Sequence, residues 1–417
     1  MARAEPLHVV VAGGGVAALE TLIALRDLAG ERVRLTAIAP EPEFELKALR
    51  TAEPFGVDHP HRRPVHNLTA RFGVDLRRDS LVRVDPGRGA VELSGGGELA
   101  YDELVVAVGA RPHRVYEHAI TFGMSPSSPG FAELLAGLEG GSVRSVAFVA
   151  PPRAYWSLPL YELALLTAHR VLEVGATDVR LCVISPERTP LALFGKQASA
   201  AVSALLAQAG IAFRGAVCAE VDPGGVIHLE PGGDEARVDR VVSLPALEGP
   251  RLPGVPADEL GFVPVDDHCR VSGIDNVHAA GDAADFPVKQ GGLACQQADV
   301  VAEDIAARVV AGLEPQPFRP VLRGKLLTGH GAEYLRNAAD GAAGHSRASG
   351  FQLWSPPTKV SGRYLSRWLA HLDAARAEVA QPVRDDGVEV ALPLPSRAEL
   401  RRQLLALDPY SPAAPGR

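Results

Sequence analysis

Short apolar runs recur along this chain, each stopped by a turn rich in small residues or proline. They are Leu7–Ala12, Val33–Ala39, Tyr101–Val108, Ser145–Ala150, Val179–Ile184 and Val277–Ala280. Runs of this kind suit strands buried on both faces of a parallel sheet. Helical spacing fills the intervals: LETLIALRDLAG just past Ala18, then Leu158–Leu172, Ala198–Gln208, and a helix from about Gly292. Strand–helix–strand therefore occurs twice, which predicts an α/β fold. Leu81–Asp85 and Ala90–Leu93 flank Pro86-Gly87 and read as an antiparallel hairpin. Beyond the punctuation at Pro315–Pro320, Val321–Thr328 reads as a strand of a third, interface-type region. Ser361–Ala380 is helical, with Tyr364, Leu365, Trp368, Leu369 and Leu372 on one stripe and Arg363, Arg367 and Arg376 beside it. Arg397–Leu407 is a short charged helix, and Asp408–Arg417 reads as a disordered tail.

Two turns in this pattern carry chemistry. The first strand runs into Gly13-Gly14-Gly15-Val16-Ala17-Ala18, a G-x-G-x-x-A turn directly before a helix. Gly13 permits the tight turn and Gly15 a close backbone approach, while the small Ala18 lets the helix pack against the strand. The helix N-terminus then offers free N–H groups to phosphates. An acid follows the second strand at Glu41, placed for ribose hydroxyls, with Glu43 and Glu45 as competitors. The second turn lies in Asn276–Asp299, NVHAAGDAADFPVKQGGLACQQAD: a strand, Gly281-Asp282, a Lys-containing loop and a helix. A carboxylate at a strand end before a helix is a second polar grip for the same ligand.

Composition narrows the class. At 417 residues the chain exceeds one ordinary core. Its formal net charge of −8 argues against nonspecific nucleic-acid binding. The cysteines, Cys182, Cys218, Cys269 and Cys295, form no close-spaced pair, so neither a CxxC site nor a thiolate zinc site is written here. Unpaired thiols suit a reducing cytoplasm. No apolar run reaches the roughly 18 residues of a spanning helix.

YDELVVAVGARP, residues 101–112, resembles the segment of two-dinucleotide-domain flavoproteins that lines FAD and leaves the FAD domain. NVHAAGDAA resembles their second FAD motif, whose Asp binds ribityl and pyrophosphate oxygens. KQGGLACQQAD is similar to the sulfide:quinone oxidoreductase and type II NADH dehydrogenase branch of the pyridine nucleotide-disulfide oxidoreductases. The resemblance implies two Rossmann-like dinucleotide-binding domains, the second inserted in the first, plus a small α+β C-terminal domain. The implied division is 1–113 with 245–320 for FAD, 114–244 for the NAD(P)-like domain, and 321–417 for the C-terminal domain. It also implies FAD held by Gly13, Gly15, Val16, Ala17, Ala18, Glu41, Val82, Gly109, Ala110, Arg111, Gly281, Asp282, Gly292 and Leu293.

The chain departs from that family twice. Where the second domain should carry G-x-G-x-x-G it has Ala150-Pro151-Pro152-Arg153-Ala154-Tyr155-Trp156. Proline has no N–H to give a phosphate and cannot take positive φ. Either the domain has lost its nucleotide and become a structural lid, or it binds NAD(P)H atypically, with Glu187 and Arg188 on a ribose or 2′-phosphate. The redox cysteines are also missing: residues 42–150 contain none, and only Cys295 falls near the implied flavin. The usual trisulfide route of sulfide oxidation is not supported.

For electron exit, Lys289 in the loop before the helix can place a cation near the reduced flavin. Gln296 and Gln297 match part of the quinone-side glutamine pattern of the type II dehydrogenases, with Gly292 in place of its first glutamine. The leading expectation is an FAD-dependent oxidoreductase, with Lys289 and Gln296 as catalytic candidates, passing electrons to a quinone or similar acceptor from an unnamed small-molecule donor. An NAD(P)H-dependent reductase and a non-catalytic flavin-binding module are the alternatives. The expected location is cytoplasmic. The C-terminal stripe is expected to pack on the flavin domain or a second subunit; docking at the inner face of the membrane is the other option.

Overall fold

The computed structural model describes residues 5–58, 60–124, 129–176, 178–337 and 346–374. Leu7–Ala12 lies at the centre of a five-stranded sheet in the order Val277–Ala279, Glu103–Val106, Leu7–Ala12, Val33–Ile38, Asp75–Arg77. Every pairing is parallel, with Leu7 opposite Val33 and Val9 opposite Glu103. The central strand is covered on both faces, which is why it shows no alternation: Val9, Val10, Val11 and Ala12 are wholly buried. Helix α1 (Val16–Ala29) follows it directly. On the edge strand Val277–Ala279, His278 meets the Asp304 carboxylate, which also accepts from Arg270, and Arg308 pairs with Glu103 of the next strand.

A second parallel sheet runs Ile120–Thr121, Arg240–Ser243, Ser145–Val149, Arg180–Ile184, Ile211–Arg214. Its strands all fall between the fourth and fifth strands of the first sheet, so one Rossmann-like unit is inserted in the other. Helix α2 (Leu158–Glu173) is buried all round over its first three turns, Leu158 to Ala168 excepting Pro159. A helix apolar on every side needs cover on every side. The second sheet supplies one side and an antiparallel sheet of Leu322–Leu327, Ala332–Asn337 and Ser346–Ser349 supplies another. Gly324 makes that approach possible, since a Cβ there would stand 2.6 Å from Phe194 and 2.7 Å from Leu158.

Helix α3 (Gly291–Ala306) packs along α1. It begins one residue earlier than its spacing predicts, because the Gln290 side chain accepts the Leu293 N–H and serves as its cap. Helix α4 (Leu365–Ala374) begins later than the expected Ser361. Gly362 is pressed against Cys295 Sγ, where a Cβ would stand 2.7 Å away. The Glu20 carboxylate accepts the N–H groups of Tyr364 and Leu365 and sets the start of the helix there. The α4 stripe faces inward: Leu365 and Leu369 join Leu19, Ile23 and Leu68 in one cluster, and Trp368 meets Phe72 edge-on at 5.4 Å. Packing on the α1 layer, the first of the expected alternatives, is thus its arrangement. The continuation to Ala380, Arg376, the Arg397–Leu407 helix and the tail lie outside the described residues.

Leu365→Ala should lower stability by about 2–5 kcal/mol, the usual range for a large-to-small change in a closed core. The urea unfolding midpoint measures it, and an unchanged midpoint would show that α4 contributes nothing to the body.

Candidate functional site

A cleft of about 600 Å³ opens at the carboxyl ends of the first sheet, where α/β folds hold ligands. Gly13 to Ala17, Glu41, Ala107 to Gly109, Gly281, Asp282, Gly291 and Ala294 line it. Gly13 has φ +138°, and a Cβ there would stand 2.2 Å from the Ala107 carbonyl oxygen. Only glycine lets the first and fourth strands close on each other at this turn. The α1 cap is Gly15, which has no side chain to occupy the helix's free N–H groups, so they remain available to a ligand phosphate.

The acids after the second strand separate by partner. Glu45 is taken by Arg50, whose guanidinium holds the carboxyl below its ordinary range. Glu41 stays exposed beside Gly14, where a Cβ would stand 3.9 Å from its carboxylate. Across the cleft, Asp282 sits in the short turn Gly281–Ala283. Burial pushes its carboxyl up, and the charges of Lys289 and Lys47 pull it down. The turn is held by Gln297, whose Oε1 accepts the Gly281 N–H at 2.8 Å.

Other predicted residues stand behind the lining. Ala18 and Leu293 are buried in the core. Gly292 is buried under Gln290, which a Cβ would approach to 3.0 Å. Val82 is 40% exposed, while its neighbours Ser80 and Leu81 reach the cleft. Gly109 lines the cleft; Ala110 and Arg111 follow it, and Arg111 enters the antiparallel ribbon Arg111–His113 with Ala246–Glu248. Gln296 is engaged by main chain: it donates to Gly292 O and Val321 O and accepts from Val321 N. Lys289 is buried; its Nζ donates to the Ala284 carbonyl and lies 3.8 Å from the Phe262 ring centroid. Burial lowers it to about 7 against the pull of Asp282 and Asp258. The structure therefore places Lys289 behind Asp282, with Gln296 between α3 and the antiparallel sheet.

No motif pointed to the next feature. A side cavity of about 200 Å³ shares Phe44, Leu46 and Val360 with the cleft, and its wall carries Arg63, Lys325 and Lys359. At its edge Lys359 forms a buried ion pair with Glu162 of α2. The same carboxylate accepts from the Thr51 hydroxyl and, at 2.7 Å, from the Leu327 N–H. Lys359 also lies 3.3 Å from Thr51 Oγ1. Glu162 and Lys359 are 197 residues apart, so no local pattern could announce them.

Between α1, α3 and α4 lies a buried pair of acids. Asp299 and Glu20 are neighbouring buried carboxyls, and burial with the Glu20 charge pushes Asp299 up to about 9. The same surroundings raise the Cys295 thiol well above its ordinary value. Cys295 is free and buried, and among the described residues no group of His, Cys, Asp or Glu could hold a metal.

Residues 2–120 match the family model described as pyridine nucleotide-disulphide oxidoreductase. The sulfide-quinone reductase of Aquifex aeolicus is 29% identical over 112 residues, which is 25% of this chain and 24% of that protein. The chain thus spans about a quarter of that relative's length. Ferroptosis suppressor protein 1 of Taeniopygia guttata is 23% identical over 333 residues, 77% of this chain and 84% of that one. In fold, the chain is similar to the solved sulfide:quinone oxidoreductase of Aquifex aeolicus, with TM-score 0.74, 20% identity, and coverage of 82% of this chain and 86% of that one. Among the described residues no helix is long and apolar enough to cross a membrane.

The Glu20–Asp299 pair carries a pH dependence. The native pair keeps a proton that an unfolded Asp releases near pH ~4, so its contribution to stability is full below that pH and is lost as pH rises towards about 9. Asp299→Asn should flatten this slope in urea midpoints, leaving the part due to Glu103, which burial raises to about 7. An unaltered slope would remove the pair as its origin.

Proposed function

We propose, starting from a chain that resembles the pyridine nucleotide-disulphide oxidoreductases in its fold and over residues 2–120, that this protein is an FAD-dependent oxidoreductase delivering electrons to a quinone-class acceptor. The observation that carries the reading is the meeting of cleft and side cavity at Phe44, Leu46 and Val360. The larger space suits a dinucleotide and the smaller an acceptor ring. In the proposed division 1–113 and 245–320 hold FAD, 114–244 form the NAD(P)-like unit, and 321–417 form the C-terminal unit, whose described residues Lys325 and Pro357–Val360 complete the acceptor side.

The fit to FAD rests on the Gly13 turn, the uncapped α1 N-terminus and the facing Asp282. We assign the pyrophosphate to the N–H groups around Gly15, Val16 and Ala17, the adenosine ribose to Glu41, and further ligand hydroxyls to Asp282. Gly109, Ala110 and Arg111 follow the fourth strand past the cleft, and Gly281 keeps the Asp282 turn close to Ala17. Ala18, Gly292 and Leu293 act by packing. Bound FAD supplies the two-electron chemistry.

The chain's own task is to orient that group, exclude water and manage charge. Lys289 stands behind Asp282 and offsets its negative charge. Lys359, held by Glu162 and Thr51, presents a cation at the cavity edge. An ammonium there can donate a hydrogen bond to an acceptor oxygen as negative charge develops on it. Support for a quinone comes from the sulfide-quinone reductase relative. The chain has no thiol between residues 42 and 150, and Cys295 is buried, so the relative's other substrate is not carried over.

Purified protein should be yellow, or become so with FAD; a colourless protein that takes up no FAD sinks the reading. Gly13→Val should leave the protein without flavin. The double variant Glu162→Gln, Lys359→Met removes both buried charges together. It should keep its flavin yet, once reduced, be reoxidised by a water-soluble quinone about 10²-fold more slowly, the scale of a lost proton donor. Stopped-flow absorbance reads this, and a wild-type rate would rule out the pair's part.

A further inference from the structure

The second parallel sheet has the outline of a dinucleotide site, and its ligand positions are filled from within. In such folds the phosphates meet the turn after the first strand and the following helix N-terminus, while an acid after the second strand meets the ribose. Here Pro151 and Pro152 offer no N–H, and the Ala154 N–H is turned back to the Pro151 carbonyl. Pro159 removes a donor from the first turn of α2, and the Leu160 N–H bonds to Ser157 O.

The helix end is also covered. Ser157 and Leu158 are 7% and 4% exposed, and the Gly324 strand crosses directly over Leu158. The turn itself is pinned: the Lys289 N–H donates to Tyr155 O at 3.3 Å, the Tyr155 ring meets Phe262 at 5.5 Å, and Trp156 lies against Phe194 at 5.7 Å. A pyrophosphate would have to displace all three contacts.

Glu187, the acid after the second strand, turns inward. Its Oε2 accepts from the hydroxyls of Tyr161 at 2.8 Å, Ser157 at 3.1 Å and Ser185 at 3.3 Å, and its Oε1 accepts the Ala192 N–H at 3.2 Å. It is 5% exposed, whereas Arg188 points to solvent. Four protein donors already engage the carboxylate, and its burial keeps it from a ribose at the surface.

We propose that Glu187 is the built-in occupant of this second site, an internal carboxylate in place of a bound nucleotide, and that the flavin's reductant is not a nicotinamide dinucleotide. This rests on the flavin reading above and narrows its electron donor. Glu187 is a specificity determinant acting by closure: its bonds to the start of α2 and to the loop before the next helix hold shut the crevice that NAD(P)H would need.

The test uses the full chain with its flavin, kept anaerobic. Dithionite should bleach the flavin, while NADH and NADPH should leave it oxidised; NAD⁺ and NADP⁺ should leave the melting temperature unchanged, although FAD raises that of the stripped protein. Bleaching by either nucleotide, or a nucleotide-dependent rise in melting temperature, overturns the proposal. Failure of FAD to bind would instead remove the flavin reading, so the two outcomes are distinct. For Glu187 itself, Glu187→Leu should melt well below Glu187→Gln, because it leaves three hydroxyls and an amide without an acceptor. Equal melting temperatures for Glu187→Leu and wild type would overturn its role as the internal anion.

Discussion

The Glu162 carboxylate has no contact with solvent and is reached by groups from three remote parts of the chain: the Lys359 ammonium, the Thr51 hydroxyl and the Leu327 N–H. Burying a lone carboxylate is costly, and a buried pair holds only when its remaining lone pairs are also satisfied. That requirement joins α2, the antiparallel sheet, the segment after the second strand and the approach to α4 at one point. The side cavity exists because these pieces meet there, and Val360, next to Lys359, belongs to both cavity and cleft.

The same device recurs. Glu20 is buried on α1 and caps α4, Glu187 is buried against the start of α2, and Asp304 gathers Arg270 and His278 under the first sheet. In each case a buried carboxylate satisfies donors on a separate part of the fold, where an apolar contact would give adhesion without direction. Helix N-termini carry unpaired N–H groups by construction. At Gly15 the chain leaves them open beside the cleft, whereas at α4 it closes them with its own acid. That contrast separates a surface able to take a ligand from one that serves packing.

The composition around α1 explains why the first site stays open. Gly13, Gly14 and Gly15 give no side chain to the turn, and the first and fourth strands close to a distance only glycine allows. Around α2 the corresponding residues are two prolines, a tyrosine and a tryptophan, and the aromatic rings pack on Phe262 and Phe194. Two units that each place the strand before the turn at the centre of a five-stranded parallel sheet therefore present opposite chemistry at that position.

The sequence by itself determined the parallel sheets, the position of the Gly13 turn, the Asp282 turn and the loss of the second glycine motif. Each is a local matter: continuous apolar runs specify doubly covered strands, and a tight turn needs glycine within a few residues. It left three acids competing for one ribose, and only the fold paired Glu45 with Arg50 and left Glu41 facing the turn. It pointed to Lys289 and Gln296, which the fold sets behind the lining, because distance along a loop does not say which way a side chain turns. The Glu162–Lys359 pair, the inward turn of Glu187 and the Glu20 cap were decided by tertiary structure alone. Glu162 and Glu20 find their partners far along the chain, as Glu187 does in Ser157 and Tyr161, and desolvation, which decides whether a buried carboxylate must be paired, is set by everything packed around it.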